Sequence, residues 1–525
     1  MTFCSQFPPQ LCLLRSLRVA GFGLSLLTAA CSVAPDDAQK ADMTQNVFEA
    51  AFRNIDSRYV SDITIDSVAV AGLQAVLKDL PEADLVRTGS TIALGRNGHQ
   101  LASWQAPAAH DASGWSAISA AFLAKTADSW PEFGSKDREE RIAMFFRGAL
   151  SGLDRYTRYE KPDDARNTRA RREGFGGLGI TIRYENGQTF VRDVHPDTPA
   201  EKAGLKPGDR ITHIAGTSVE GLTQNDVVSQ LRGPIHSSAD LTVARAGSEA
   251  PIQVSVIRSH IILPTVTASI DGGILALKIT GFNQGTARAI GRELSSAERT
   301  LGTGFKGIIL DLRSNPGGLL DQAVTISDFF LNDGRIISTE GRHRSANQVF
   351  DASWGERVHD LPMALLVNGR SASASEIVAA ALRDRGRAIL IGTSSFGKGS
   401  VQTILRLPNG GELTLTWAHM VAPSGFTLQG HGVIPAICTV GAPGTVAQMM
   451  EAVRERHGEK GAVLFGAILA SRHAVRTDPD KARNACPPSR DERDEDMEVA
   501  RYILGNKLLY TRALTDGGPA IALGG

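Results

Sequence analysis

The chain holds no surplus of either charge: 56 Lys and Arg stand against 56 Asp and Glu, a net of zero with histidine neutral. A partner chosen by bulk electrostatics, nucleic acid or an anionic membrane, would favour a basic excess. Metal-ligand spacing is missing too. No CxxC or HExxH occurs and the 12 histidines are scattered, so no metal or cofactor is implied. Internal repeats are absent. The most apolar run stops short of the ~20 residues that a membrane-spanning helix needs. What is present is 42% hydrophobic and 21% charged over 525 residues. That is too apolar and too mixed in charge for general disorder, and long enough for about three domains, each with a core.

Cysteine is sparse, and its placement suggests export. Arg15 and Arg18 precede the apolar run from Val19 to Ala30, followed by Cys31 and Ser32. This order predicts a secretory signal over 1–30; an apolar first helix of the folded protein is the competing reading. LLTAAC resembles a bacterial lipobox, with Thr28 where an aliphatic residue is usual. Cys31 is therefore the candidate lipidated residue, and plain cleavage near Ala30 is the alternative. The expected location is the bacterial periplasm, with membrane attachment only through the N-terminal lipid. Cys4 and Cys12 would leave with the signal, so Cys438 and Cys486 remain, as a candidate disulfide or as two buried thiols.

The texture changes along the chain. Phe48, Phe52, Ile55 and Tyr59 fall on one helical face, as do Ile142, Phe145, Ala149 and Leu153. A helical domain is expected over 31–165, interrupted by a hairpin turning at Asn97-Gly98. The charged run from Glu160 to Glu173 reads as a linker or solvated face. Short strands with glycine turns, the first pair around Asn186-Gly187, predict a small β-rich domain over 166–260. Between 261 and 440, the apolar strands Ile274 to Ile279, Gly307 to Leu312, Ala364 to Asn368 and Ala388 to Gly392 alternate with helices. Strands of that kind are covered on both faces. Residues 441–525 are helical and charged and offer no functional signal. The fold class is multidomain α+β.

Three loops crowd small residues just after strands: Asp311 to Gly318, Asn368 to Leu382, and Ile391 to Gln402. Ligands in α/β sheets bind beyond the carboxyl ends of strands, so one site could collect all three. The alternating Ser371, Ser373 and Ser375 open a strong helix, where unpaired N–H groups favour a developing negative charge. One serine could be an N-cap; three ask for more. No histidine is near, which leaves Lys398 as the candidate base, provided that a poorly solvated site strips its charge. Two rival motifs fail. In GTSSFGKG, Gly399 replaces the Ser/Thr of a phosphate-binding loop, and Gly-Ser-Val-Gln begins a helix poorly. Ser395 to Lys398 fits SxxK, but the later Lys-Thr-Gly is absent.

The run from Ser371 to Gln402, with DLRSNPGG upstream and APSGFTLQGHGVIP downstream, resembles the carboxyl-terminal processing proteases. Departures are Ser314, the Thr393-Ser394-Ser395 stretch and Ala436, none of them in the dyad. The resemblance implies a serine endopeptidase using a Ser–Lys dyad, with a PDZ domain ahead of an α/β protease core. Carried over by position, Ser373 is the nucleophile and Lys398 the general base. Gln402, one helical turn beyond Lys398, orients its amine. The N–H of Ala374, with that of Gly317 or Gly318, forms the oxyanion hole. Gly177, Leu178, Gly179 and Ile180 form a loop for a substrate's C-terminal carboxylate. The implied partners are proteins or peptides with free C-termini. A catalytically inactive PDZ scaffold is the rival reading, which an intact Ser373, Lys398 and Gln402 set disfavours.

Overall fold

The computed structural model describes residues 35–353, 361–440 and 486–515, together with 355, 357, 358, 480, 483 and 484. The expected signal segment and Cys31 lie outside these residues. Among the described residues no helix is long and apolar enough to cross a membrane.

The chain begins with α1 (Pro35–Arg58) and α2 (Ile65–Leu77), then β1 (Ala83–Thr88), β2 (Thr91–Arg96) and β3 (His99–Gln105). Asn97 and Gly98, at φ 53° and 74°, make the expected turn, as hairpins favour positive dihedrals at both central residues. The hairpin is one strand larger than the sequence suggested. β1 pairs with β2 while leaving four of its six side chains exposed, so it carries little apolar pattern to find. α3 (Ala112–Ser129), the short α4 (Pro131–Gly134) and α5 (Arg138–Ala149) complete this layer. Phe48, Phe52, Phe122, Phe145 and Phe146 are buried in its core, which also takes in Leu407, Leu413 and Leu415 from far along the chain.

β4 (Arg158–Glu160) leads into α6 (Pro162–Glu173). The run from Glu160 to Glu173 is thus a helix with one solvated face (Asp163, Asp164, Arg166, Asn167 and Arg171 are exposed) and one anchored face. Arg169 and Arg172 reach the buried Glu412 carboxylate at 2.8 and 3.3 Å. The charge run concealed this because its partner lies some 240 residues away.

A β domain follows: β5 (Phe175–Gly177), β6 (Ile180–Glu185), β7 (Gln188–Val194), α7 (Pro199–Lys202), β8 (Arg210–Ile214), β9 (Thr217–Ser218), α8 (Gln224–Leu231), β10 (Ser238–Ala244), β11 (Ile252–Ile257) and β12 (Ser259–Ile261). Its sheet runs β11-β10-β8-β7-β6, with β9 on β8, so β6 is an edge; β5 pairs with β12.

The largest unit contains β13 (Val266–Asp271), β14 (Ile274–Ile279), α9 (Thr286–Leu301), β15 (Gly307–Asp311), α10 (Leu320–Asp328), β16 (Arg335–Glu340), β17 (Gln348–Asp351), β18 (Met363–Val367), α11 (Ala374–Asp384), β19 (Ile389–Gly392), β20 (Ser400–Arg406), β21 (Glu412–Val421) and β22 (Ile437–Cys438). One sheet runs β13-β14-β15-β18-β19-β22, parallel except for β13. The other runs β17-β16-β21-β20, with β4 on β21. α9, α10 and α11 cover one face of the parallel sheet. The other face, with Ile309, Leu366 and Ile391, packs on Val499, Ala500 and Ile503 of α12 (Asp494–Leu504), and α13 (Lys507–Thr515) adds Ala513. The second cover expected for these strands therefore comes from the C-terminal segment.

Candidate active site

β18 ends in a tight turn that delivers Ser373 to the first turn of α11. Ser373 sits at φ 56°, ψ −114°, a conformation that costs a non-glycine residue about 1–3 kcal/mol and persists only where its surroundings impose it. They do. Ser373 N donates to Glu376 Oε2 at 2.8 Å and Ala372 N to Asn315 O at 3.0 Å. The three alternating serines separate by environment. Ser371 and Ser375 are fully buried, with hydroxyls donating to Leu312 O at 2.8 Å and Asn315 O at 2.9 Å. Ser373 is only half-buried, and among the described residues its hydroxyl donates to none.

Lys398 lies in the loop between β19 and β20, its Nζ 4.8 Å from the centre of the Tyr156 ring. Burial lowers its pKa, the nearby Arg158 and Arg155 charges add to that, and Glu376 and Asp154 offset part of it. A lysine poised this way surrenders its proton more readily than a solvated one. The residues that enclose it come from the N-terminal layer. Arg155 stacks over both Tyr156 and Phe396, at 4.8 and 5.2 Å. Asp154 accepts from Thr157 Oγ1 at 2.6 Å and from Thr416 Oγ1 at 2.9 Å. Sequence reasoning passed over this LDRYTR stretch, whose only signal was its aromatic and charged density beside a helix end.

One buried carboxylate joins the two loops. Glu376 Oε2 accepts from Ser373 N and from Lys398 N at 2.9 Å; Oε1 accepts from Gly397 N at 2.7 Å and from Ser395 Oγ. Burial pushes the Glu376 pKa up, and these four donors pull the other way. Glu376 is a second residue missed from sequence, where it reads as an ordinary first-turn helix glutamate.

The glycine turn meets Ser373 directly. A Cβ on Gly317 would lie 2.9 Å from Ser373 Cβ, and one on Gly318 2.1 Å from Phe282 O. Gly317 N already donates to Asn315 Oδ1 at 2.9 Å. Among the described residues the N–H groups of Gly318 and Ala374 have no acceptor, which separates the two glycines that the sequence could not.

Gln402 requires a correction. Residues Ser400–Arg406 are a strand, so Gln402 is not one helical turn beyond Lys398. Gly399 abuts the backbone of Gln429 and Ser400 pairs with His419 on β21, a ladder that outcompetes helix. Gln402 Nε2 donates to Ser400 Oγ at 2.9 Å and to Thr416 Oγ1 at 3.3 Å. The same strand removes the helix that a phosphate-binding loop would need.

In the β domain, Gly177 closes β5, Gly179 sits at φ 87° and Ile180 opens edge strand β6. Leu178 O and Gly179 O are taken by Ala200 N and His195 N, both at 2.9 Å. Among the described residues the N–H groups of Leu178 and Gly179 have no acceptor. The end of α8 lies alongside, with Gly233 N donating to Gly176 O at 3.1 Å. Cys438 and Cys486 are joined, with S–S 2.05 Å.

The model of peptidase family S41 matches residues 273–439, and that of the PDZ domain matches 190–245. The carboxy-terminal-processing protease of Bartonella bacilliformis is 42% identical over 303 residues, 57% of this chain and 70% of that protein. The carboxy-terminal processing protease CtpA of Bacillus subtilis is 34% identical over 57% of this chain and 64% of its own length. The carboxyl-terminal-processing protease of Synechocystis is 32% identical over 57% of this chain and 71% of its own.

Proposed function

Because the chain belongs to the carboxy-terminal processing proteases, serine peptidases of family S41 that carry a PDZ domain, we propose that Ser373 is its nucleophile and Lys398 its general base. The observation that carries this reading is the shared Glu376 carboxylate, which takes the N–H of Ser373 and the N–H of Lys398 on one oxygen. Ser373 Oγ attacks the peptide carbonyl and passes its proton to neutral Lys398. The tetrahedral oxyanion forms against the N–H groups of Gly318 and Ala374, donors fixed before the charge appears. Collapse breaks the C–N bond, and Lys398 returns the proton to the departing amine. Water then attacks the acyl ester and loses a proton to Lys398; as the ester C–O bond breaks, Lys398 returns that proton to Ser373 Oγ, leaving the amine neutral again. Gln402, whose amide nitrogen is held by Ser400 and Thr416, keeps a carbonyl oxygen to accept from the lysine amine.

The substrates are exported proteins selected by their C-termini. The terminal carboxylate is received by the N–H groups around Gly177, Leu178, Gly179 and Ile180, and the preceding residues add as a strand to β6. Cleavage of the signal and lipidation at Cys31 place the enzyme at the periplasmic face of a membrane.

The dyad is tested with a fluorescent serine-directed phosphonate. The wild-type protein labels, Ser373→Ala does not, and Ser371→Ala and Ser375→Ala still do. Labelling of Ser373→Ala to the wild-type extent would sink the assignment.

A further inference from the structure

The loop that carries Lys398 is gripped on two sides by two distant parts of the chain. Its N–H groups point toward α11, where Gly397 and Lys398 donate to Glu376 at 2.7 and 2.9 Å. Two of its carbonyls, those of Ser395 and Phe396, face Arg483 instead. Arg483 Nη1 donates to Ser395 O at 2.9 Å and to His431 O, and Nη2 donates to Phe396 O at 3.3 Å. One planar guanidinium thus takes the two carbonyls just ahead of the Gly397-Lys398 pair, and a third from the facing loop. A rigid fork fixes the relative orientation of such groups in a way that a single ammonium cannot.

Arg483 is itself held in place. Three residues on, Cys486 is covalently joined to Cys438 on β22. Beyond it Ser489 O accepts from Gly369 N in the nucleophile turn, and Arg490 O and Asp491 O accept from Asn368 Nδ2. Burial disfavours the Arg483 charge and the Glu376 carboxylate supports it, so the two sides of the clamp are electrostatically complementary. Arg483 lies outside the segment matched to the S41 family, which ends at 439.

We propose that Arg483 is a positioning residue for the reaction: it holds the Ser395 and Phe396 carbonyls so that Lys398 stays enclosed and aimed at Ser373, with the Cys438–Cys486 link fixing its backbone. The inference rests on the dyad reading. Loosening the loop admits water to Lys398, which is faced by Arg158, Arg155 and Tyr156 of the N-terminal layer, by Asp154, and by Glu376 of α11.

The test uses the full chain with fluorescein-labelled casein as substrate, comparing wild type, Arg483→Ala and Arg483→Lys. Arg483→Ala is expected to lower kcat at least tenfold with KM within twofold, and to move the acid limb of kcat/KM to higher pH. Millimolar guanidinium, well below denaturing concentrations, should restore kcat several-fold, whereas equal ammonium should not. Arg483→Lys should recover less than guanidinium does. A kcat within twofold of wild type overturns the proposal. So does a loss that follows the melting temperature and resists guanidinium, since that identifies a purely structural arginine. Phosphonate labelling of wild type and Ser373→Ala runs in parallel. If those two label alike, the dyad reading has failed and this inference falls with it; if they differ as expected, the Arg483 result stands by itself.

Discussion

At the residue scale the question is why one serine and one lysine differ from their neighbours. Ser371 and Ser375 spend their hydroxyls on the carbonyls of Leu312 and Asn315, and buried donors so satisfied are unavailable as nucleophiles. Ser373 differs: it sits at positive φ with its N–H held by the Glu376 carboxylate, and among the described residues its hydroxyl donates to none. Lys398 is set apart by desolvation, which holds its pKa below the ordinary 10.5. A general base works only when neutral, so with Lys398 as the proposed base the sign follows directly: activity is lost as pH falls through the Lys398 pKa and grows above it. The kcat/KM profile should rise through neutral pH, with the midpoint of its acid limb below 10.5. A maximum near pH 5, falling toward neutrality, would contradict a lysine base.

At the element scale two placements matter. Edge strand β6 leaves one side of the β domain unpaired, and exposed edges are templates for an added strand. The open N–H groups of Leu178 and Gly179 stand at its start, where an incoming peptide would end. Full-length Ser373→Ala protein, which cannot consume its ligand, should bind a peptide with a free, aliphatic C-terminus. Amidating that terminus should cost roughly 1.5–3 kcal/mol, the scale of a hydrogen bond to a charged group. Equal affinities by fluorescence anisotropy would reduce the β domain to a brace. The second placement is α6, which links the helical layer to the β domain while gripping Glu412 of β21. Burial would raise the Glu412 pKa, but Arg169 and Arg172 bring it below its usual value. The joint is therefore fully formed above the ordinary glutamate range and loosens as pH falls through the lower, folded value.

At the scale of the whole molecule the C-terminal segment acts as a girdle. α12 covers the second face of the parallel sheet. Arg313 pairs with both Asp311 and Asp496, at 2.8 and 3.2 Å, tying that helix to the glycine-turn loop. The Cys438–Cys486 link closes a loop of 48 residues, and chain-entropy arguments give a closure of that length about 4 kcal/mol. Urea unfolding followed by tryptophan fluorescence should therefore shift to a clearly lower midpoint after reduction. Coincident curves would show that the link carries no stability.

What the sequence determined by itself was local in origin. Asn97-Gly98 and Asn186-Gly187 turn because their backbone requires it. Strands Ile274–Ile279 and Gly307–Asp311 read as buried because every position on them except Lys278 and Asp311 lacks a polar side chain. The proposed pairing of a serine at a helix start with a lysine in a glycine loop was read from the same local signals, residue type and short spacing. Tertiary structure decided whatever depends on which partner a group finds. Asn315 takes Gly317 N–H and leaves Gly318 open. Pairing of Ser400 with His419 makes Gln402 a strand residue. Arg169 and Arg172 meet Glu412, and Arg483 meets the carbonyls ahead of Lys398. Each of these choices is a competition among donors and acceptors far apart in the chain, settled only when packing brings one of them within about 3 Å and shuts the others out.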